Sequence, residues 1–226
     1  MNLIKDIRIY RSNTVNADNN PLPSSFENKN IHCILHRIAM KLSENSFSLG
    51  DFDHLYINAT TCYVEGNIAP ANRTTDKYHP WYRYYDVEIS QELFDLLESS
   101  QCENEIIEIV EKVIQKFFST PDFDSEKIHC CISDAVENGE NMLIKFKEKV
   151  SFKNKAIIYL RYSDDTRYFP LLKVWDSENN LLLEQDLPKT SALDAYGEIQ
   201  LSSKKVTIKP RKNAFAINLE PMTFIL

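Results

Sequence analysis

Glycine is scarce in this sequence, with only four glycines among 226 residues. Sites that cradle phosphates in glycine-rich loops need several glycines at fixed spacing, because the backbone must approach the ligand closely. The sequence contains neither a dinucleotide-binding fingerprint nor a P-loop. This shortage argues against any function that depends on a glycine-rich phosphate loop.

Positive charge is also in short supply, because 26 Lys and Arg residues face 33 Asp and Glu residues, for a net charge of −7. A nucleic-acid-binding protein needs a basic face for its phosphate contacts, so we expect no nucleic-acid partner. The deficit lies in residues 1–139, which carry 12 cations and 22 anions, whereas residues 140–226 carry 14 and 11. The first half is therefore the expected surface for a cationic partner.

Long apolar runs and a disulfide framework are missing too. No segment approaches the ~20 apolar residues that cross a bilayer. The first ten residues contain Lys5, Asp6 and Arg8, which a signal peptide would not place in its apolar core. Five cysteines form an odd set without a recognisable pairing pattern, as in a reducing compartment. We expect a soluble cytoplasmic protein that does not enter a membrane.

The most distinctive stretch that is present runs from residue 86 to residue 137, and it carries 14 carboxylates against three cations. In its middle, apolar residues recur at helical spacing, which predicts an amphipathic helix. The apolar positions are Ile106, Ile107, Val110, Val113, Ile114, Phe117 and Phe118. Glu105, Glu108 and Glu111 fall on the opposite face, which makes that face acidic.

The pattern along the chain predicts an α+β protein. Residues 1–138 are expected to form a mixed α/β domain and residues 139–226 a β-rich antiparallel domain, with a single fused domain as the alternative. In the first domain, strands are predicted at 3–10, 52–64 and 81–89, helices at 31–42 and after Ser90, and loops at 13–30 and 65–79. Asn30 is expected to cap the helix at 31–42, and a Ser100–Glu103 capping box is expected to begin the acidic helix.

Residues 128–132 are predicted to form a short buried strand. Such a strand would point His129 and Cys130 to opposite faces. His129 and Cys131 could share a face, but a thiol at a buried strand position would be inert. From residue 141 onward, short apolar runs alternate with turns, which predicts an antiparallel meander or a small sandwich. Its strands are predicted at 142–152, 156–162, 168–175, 181–187, 198–201, 205–209 and 214–219.

Histidine and aspartate residues supply the best metal-ligand candidates. On a helix, His32 and His36 lie one turn apart and can face the same way, as paired zinc ligands do. Asp51, Asp53 and His54 are candidates for further ligands or for an acid–base cluster. Because these segments share no recurring ligand spacing, packing histidines and turn aspartates are the plainer interpretation. We expect no metal ion and no cofactor.

An aromatic segment lies just before the acidic stretch. Its rings belong to Tyr78, Trp81, Tyr82, Tyr84 and Tyr85. Core packing is the commonest use of such rings, because they bury a large area. Base stacking normally accompanies a positive groove, which is missing here. Anchoring of a protein partner is the remaining interpretation, because Trp, Tyr and Arg dominate interface hot spots.

Residues 1–137 resemble the immunity proteins of bacterial toxin–immunity systems, which are small acidic α/β proteins without catalytic motifs. The comparison is prompted by residues 51–58, Asp-Phe-Asp-His-Leu-Tyr-Ile-Asn, and by residues 78–86, Tyr-His-Pro-Trp-Tyr-Arg-Tyr-Tyr-Asp. The resemblance is one of style and covers about half the chain, and it assigns no individual binding residue. It implies a cytosolic inhibitor that binds a toxin domain.

We therefore expect a non-catalytic acidic protein that docks on a basic protein partner and occludes it, with the oligomeric state left open. The predicted contact residues are Trp81, Tyr82, Tyr84, Asp86, Glu105, Glu108 and Glu111. One alternative is a small metal-dependent hydrolase that uses His32, His36, Asp51, Asp53 or His54. The other is a carbohydrate- or ligand-binding β module with Trp175, Tyr162, Tyr168 and Phe169 as its platform.

Overall fold

The computed structural model describes residues 2–13, 20–21, 31–71, 80–98 and 102–226. It confirms the predicted α+β class, with a mixed α/β first half and an antiparallel β-rich second half. The chain divides into two compact units, residues 1–139 and 140–226. This division falls one residue after the 138/139 boundary expected from the sequence.

A five-stranded sheet forms the centre of the N-terminal unit. Its strands are β2 (Asp6–Arg11), β3 (Asn20–Pro21), β5 (His54–Thr60), β6 (Ile68–Pro70) and β7 (Tyr82–Glu88), in the order β3-β2-β5-β7-β6. The three middle strands β2, β5 and β7 are parallel, and the two edge strands are antiparallel to their neighbours. Two short strands, β1 (Asn2–Leu3) and β4 (Ser48–Gly50), pair separately.

Four α-helices accompany this sheet in the described part of the unit: α1 (Ile31–Glu44), α2 (Gln91–Leu96), α3 (Glu103–Phe118) and α4 (Ser125–Asn138). Ser90 caps α2 by accepting a hydrogen bond from the Leu93 amide, and Asp124 caps α4 by accepting one from the Lys127 amide. The predicted caps at Asn30 and Ser100 lie outside the described residues. None of the described helices is both long and apolar enough to span a membrane.

The acidic helix is confirmed as α3. Its side toward the protein interior is fully buried at Ile106, Val110, Val113 and Ile114, whereas Glu105 and Glu108 are exposed.

Lys41 of α1 forms an ion pair with Asp134 of α4 across 2.6 Å, which ties these two helices together.

Three local expectations from the sequence are wrong. Residues 128–132 are not a strand but part of helix α4, because Ile128, Ile132 and Ala135 repeat at helical spacing behind the Asp124 cap. The expected loop at 65–79 contains a 3-10 turn (Glu65–Asn67) and edge strand β6. The expected strand at 214–219 is instead a 3-10 turn (Ala214–Ala216) that is capped by Asn213.

The C-terminal unit contains two antiparallel sheets. The first has the order β13-β12-β9-β8 and consists of β8 (Ile144–Val150), β9 (Asn154–Leu160), β12 (Leu171–Asp176) and β13 (Leu181–Asp186). The second has the order β14-β15-β16 and consists of β14 (Glu198–Leu201), β15 (Lys205–Lys209) and β16 (Met222–Ile225). A small hairpin of β10 (Tyr162–Ser163) and β11 (Arg167–Tyr168) and a 3-10 turn (Leu193–Ala195) complete the unit.

One apolar core serves both sheets of this unit, as expected for a small sandwich. Its buried members are Ala156, Ile158, Leu172, Val174, Leu187, Tyr196, Ile199, Val206 and Ile208. Tyr196 is only 1% exposed, and its hydroxyl donates a 2.7 Å hydrogen bond to the Pro188 carbonyl. At Gly197 an added Cβ would lie 2.5 Å from the Pro210 backbone, so the close approach of these two segments requires glycine.

Candidate functional site

The two faces of the N-terminal sheet carry different side chains. Tyr85 of β7 points to the helices, because its ring centroid lies 4.9 Å from Phe117 and 5.5 Å from Phe118 of α3. Neighbouring residues of a strand point to opposite faces, so Tyr84 and Asp86 lie on the other side of the sheet. The parallel register places Arg8, Tyr56 and Tyr84 in one row across β2, β5 and β7.

Four tyrosines gather on this second side of the sheet, which we call the tyrosine face. The Tyr56 and Tyr82 rings are stacked, with centroids 5.2 Å apart and planes at 14°. The Tyr84 ring contacts the Tyr56 ring edge-on, with centroids 5.2 Å apart, and the Tyr10 ring also contacts the Tyr56 ring edge-on, with centroids 5.7 Å apart. These are favourable ring geometries, so each ring holds its neighbours in place. We refer to Tyr10, Tyr56, Tyr82 and Tyr84 as the tyrosine cluster.

Arg8 lies on the tyrosine cluster. Its guanidinium carbon is 5.3 Å from the Tyr56 ring centroid, and its Nε donates a 2.6 Å hydrogen bond to Asp6 Oδ2. Burial lowers the pKa of Arg8, but the charge of Asp6 and neighbouring hydrogen bonds outweigh that effect and raise it. Burial raises the pKa of Tyr56 to about 12. The tyrosine face therefore presents the protonated Tyr56 phenol beside a permanently charged guanidinium.

Two carboxylates lie at the carboxyl ends of the strands on the same face. Asp86 is 4% exposed, and its Oδ1 accepts a 2.8 Å hydrogen bond from Nδ2 of the fully buried Asn58. Glu88, two residues further along β7, accepts a 2.8 Å hydrogen bond from the Val64 amide. Both carboxylates thus bind neutral donors.

Trp81 lies where β7 begins and is 40% exposed. Its ring centroid is 6.5 Å from that of His54, the first residue of β5. The Trp81 carbonyl accepts 3.0 Å hydrogen bonds from the amides of Asp53 and His54. These bonds attach the residue before β7 to the start of β5, and they place an exposed indole at the edge of the tyrosine face.

The predicted contact residues fall on two separate surfaces of the N-terminal unit. Tyr82, Tyr84 and Asp86 belong to the tyrosine face, and Trp81 lies at its edge. Helix α3 packs on the opposite face of the sheet, and there its acidic residues differ from one another. Glu105 and Glu108 are exposed, whereas Glu111 is half-buried, with its Oε1 2.9 Å from His129 Nδ1.

The predicted metal candidates lie in several different local environments. His32 and His36 are on α1, one turn apart, and burial lowers the pKa of His36. Asp53 is bound by Lys5 at 2.6 Å and by His54 at 2.5 Å, while Asp51 pairs with Arg83 at 3.1 Å. Within the described residues, no group of three or more His, Cys, Asp or Glu side chains could hold a metal ion.

A hydrogen-bonded series that the sequence did not suggest runs from α3 to α4. His129 Nδ1 lies 2.9 Å from Glu111 Oε1, and Ser133 Oγ lies 3.4 Å from His129 Nε2. This order of groups resembles a nucleophile, a base and an orienting acid. His129 and Ser133 are one turn apart on the same helix, however, and the histidine side chain is 62% exposed. The series therefore reads as a surface network that joins two helices.

The aromatic residues proposed for a β module lie at two places in the C-terminal unit. The Tyr162 and Tyr168 rings are in contact, with centroids 5.2 Å apart, and Phe169 is next in the chain. The Phe169 ring already contacts two cations of this chain: Arg161 Cζ lies 4.1 Å and Lys189 Nζ lies 5.4 Å from its centroid. Trp175 pairs with Lys155 near the opposite end of the β9–β12 ladder. The four rings do not share one platform.

Sequence reasoning missed the part of the tyrosine face that comes from β2 and β5. Arg8, Tyr10, Tyr56 and Asn58 are separated from Tyr82 by between 24 and 74 residues. The available signal was the alternation of Arg8 and Tyr10 with Ile7 and Ile9, which predicts one polar and one apolar face.

No family model, no curated protein and no solved structure matches the chain.

Proposed function

We propose that the chain is a non-catalytic binding protein of the immunity-protein kind, and that it docks on a cationic protein domain through the tyrosine face. The observation that carries the proposal is the tyrosine cluster. Arg8 lies on this cluster and Trp81 lies at the edge of the same sheet face, so tyrosine, arginine and tryptophan side chains are all found there. Trp, Tyr and Arg contribute most of the binding energy in many protein interfaces.

The arrangement of the cluster favours tight binding for a second reason. Tyrosine has few rotatable bonds, and these rings already hold one another through the Tyr56–Tyr82 stack and the edge contacts of Tyr10 and Tyr84. Side chains that are ordered before association lose little conformational entropy when the partner binds. The sheet backbone beneath them is also a rigid support.

The acidic helix has a different role in this proposal. Glu105 and Glu108 lie on the far side of the sheet from the cluster, so direct contact with the same partner is not required of them. Charges outside a contact surface still accelerate the approach of an oppositely charged partner at low salt. We therefore assign steering to α3 and anchoring to the tyrosine face.

The test starts with capture of a partner from the source cell by the tagged chain, followed by affinity measurement with the purified partner. Tyr82→Ala should weaken affinity by about 30-fold, since truncation of a hot spot costs ~2 kcal/mol or more. Tyr63→Ala is the matched control, because Tyr63 is a 79% exposed tyrosine in a loop of the same unit. Equal affinities of the two variants would refute the assignment of the tyrosine face.

A further inference from the structure

The carboxyl-end region of the tyrosine face carries two carboxylates. Asp86 and Glu88 point to the same face two residues apart on β7, and their hydrogen bonds come from the Asn58 amide and the Val64 backbone. Among the described residues, neither carboxylate takes part in an ion pair. A carboxylate that is 4% exposed, as Asp86 is, would be stabilised by a positively charged donor.

Asn58 adds an acceptor beside these carboxylates. Its side chain is fully buried, and its Oδ1 accepts no hydrogen bond within the described structure. The orientation of the amide follows from Asp86, because a carboxylate only accepts and so must face the Nδ2 group. A buried acceptor without a donor is unfavourable, so this place in the sheet suits an incoming donor.

Aromatic rings border the same place. Tyr10 is in register with Asn58, and Asn58 is in register with Asp86, so these three residues form the row next to Arg8, Tyr56 and Tyr84. The ring of Tyr56 already holds a guanidinium, that of Arg8, at 5.3 Å. Guanidinium groups stack on aromatic faces while donating to carboxylates in their own plane.

We infer that Asp86, Glu88 and the Asn58 carbonyl, bordered by Tyr10 and Tyr84, form the recognition site for an arginine side chain of the partner. The inference rests on the proposed function and names the group through which a cationic partner is recognised. A guanidinium fits better than a point charge, because its forked donors reach acceptors on two neighbouring strands at once.

The probe for this site is N-acetyl-arginine amide, titrated into the isotope-labelled full chain and followed by NMR. We expect saturable shifts of the Asn58 side-chain amide and of the backbone amides of Asn58, Asp86 and Glu88. The citrulline analogue has the same shape without the charge, and it should leave these signals unchanged. Similar shifts with citrulline would overturn the inference, and so would equal affinity for the lysine analogue.

Two substitutions locate the binding. Asp86→Asn keeps an oxygen that can accept from Asn58 and removes the charge, and it should weaken probe binding at least tenfold. Glu88→Gln, at a half-buried position, should also weaken binding, and it keeps the test informative if Asp86→Asn does not fold. Glu137→Gln, at an exposed position on α4, is the control and should bind like the unchanged chain. Unchanged affinity in both Asp86→Asn and Glu88→Gln would refute the site.

The outcomes separate this inference from the function on which it rests. A chain that binds a protein partner through Tyr82 but ignores the arginine probe would refute the arginine site alone. A chain that binds the probe at Asp86 but captures no protein would refute the proposed partner and leave a site for a small cationic ligand.

Discussion

The Tyr196→Phe substitution gives the sharpest stability prediction, because it removes one hydroxyl and keeps a core ring. Tyr196 is 1% exposed and donates a 2.7 Å hydrogen bond to Pro188. Loss of such a bond costs about 1 kcal/mol when the abandoned acceptor can reach water, and up to ~3 kcal/mol when it cannot. Pro188 is an exposed residue, so we expect a loss of about 1 kcal/mol near pH 8.

The same substitution carries a pH signature with a definite sign. Burial raises the pKa of Tyr196 to about 12, so the folded state favours the protonated phenol. The stability that this preference contributes is complete below pH ~10, the pKa of tyrosine in the unfolded chain. It is lost as the pH rises from about 10 through 12, because the unfolded chain then ionises more readily. Phenylalanine cannot ionise, so the gap between the two proteins should shrink over that range.

Urea unfolding of the full chain in a Trp81→Phe background measures both effects, because Trp175 then reports on the C-terminal unit alone. With a slope of ~1–3 kcal/mol per molar urea, the midpoint should fall by roughly 0.3–1 M at pH 8. Burial also raises the pKa of Tyr168, but this residue is present in both proteins and cancels in the comparison. An unchanged midpoint at pH 8, or a gap that stays constant to pH 12, would refute the reasoning.

Two further predictions concern the close approach at Gly197 and the acidic helix. Gly197→Ala should destabilise the C-terminal unit by about 1–3 kcal/mol in the same urea assay, since its Cβ would lie 2.5 Å from the Pro210 backbone. If Gly197→Ala unfolds at the same urea concentration as the unchanged chain, as reported by Trp175, then the added Cβ does not displace the Pro210 backbone and the prediction is wrong. Glu105→Lys with Glu108→Lys should slow association with the proposed cationic partner several-fold at low salt and much less at high salt, with dissociation unchanged. A salt-independent effect, or one on dissociation, would count against steering.

The sequence sufficed wherever the determining interactions are local. The acidic helix follows from apolar residues three and four positions apart, and α2 follows from its Ser90 cap. The strand expected at 128–132 shows how a short apolar run misleads. Ile128 and Ile132 fit a helix as well as a strand, and the Asp124 cap four residues upstream was the signal that decided for the helix.

The candidate site could be predicted only in part, because it is built across strands. Tyr82, Tyr84 and Asp86 were identified from one aromatic segment, but their neighbours Tyr10 and Asn58 come from distant parts of the chain. Which residues of β2 and β5 stand beside them depends on the parallel register, and tertiary packing determines that register. The same packing places α3 on the face of the sheet opposite the tyrosine cluster. It therefore separates Glu105 and Glu108 from Tyr82 and Tyr84, although these residues are close in the sequence.

The parallel register has a consequence for how this chain can change over time. The tyrosine face and the helix-covered face are alternate residues of the same three strands, so a one-residue insertion in β5 would exchange the two faces of that strand. Leu55 and Ile57 would then face outward, and Tyr56 and Asn58 would be pressed against the helices. Length changes in these strands therefore damage the core and the tyrosine face together. Single substitutions of the tyrosines leave this alternation intact, so the tyrosine face can change residue by residue while the core keeps its register.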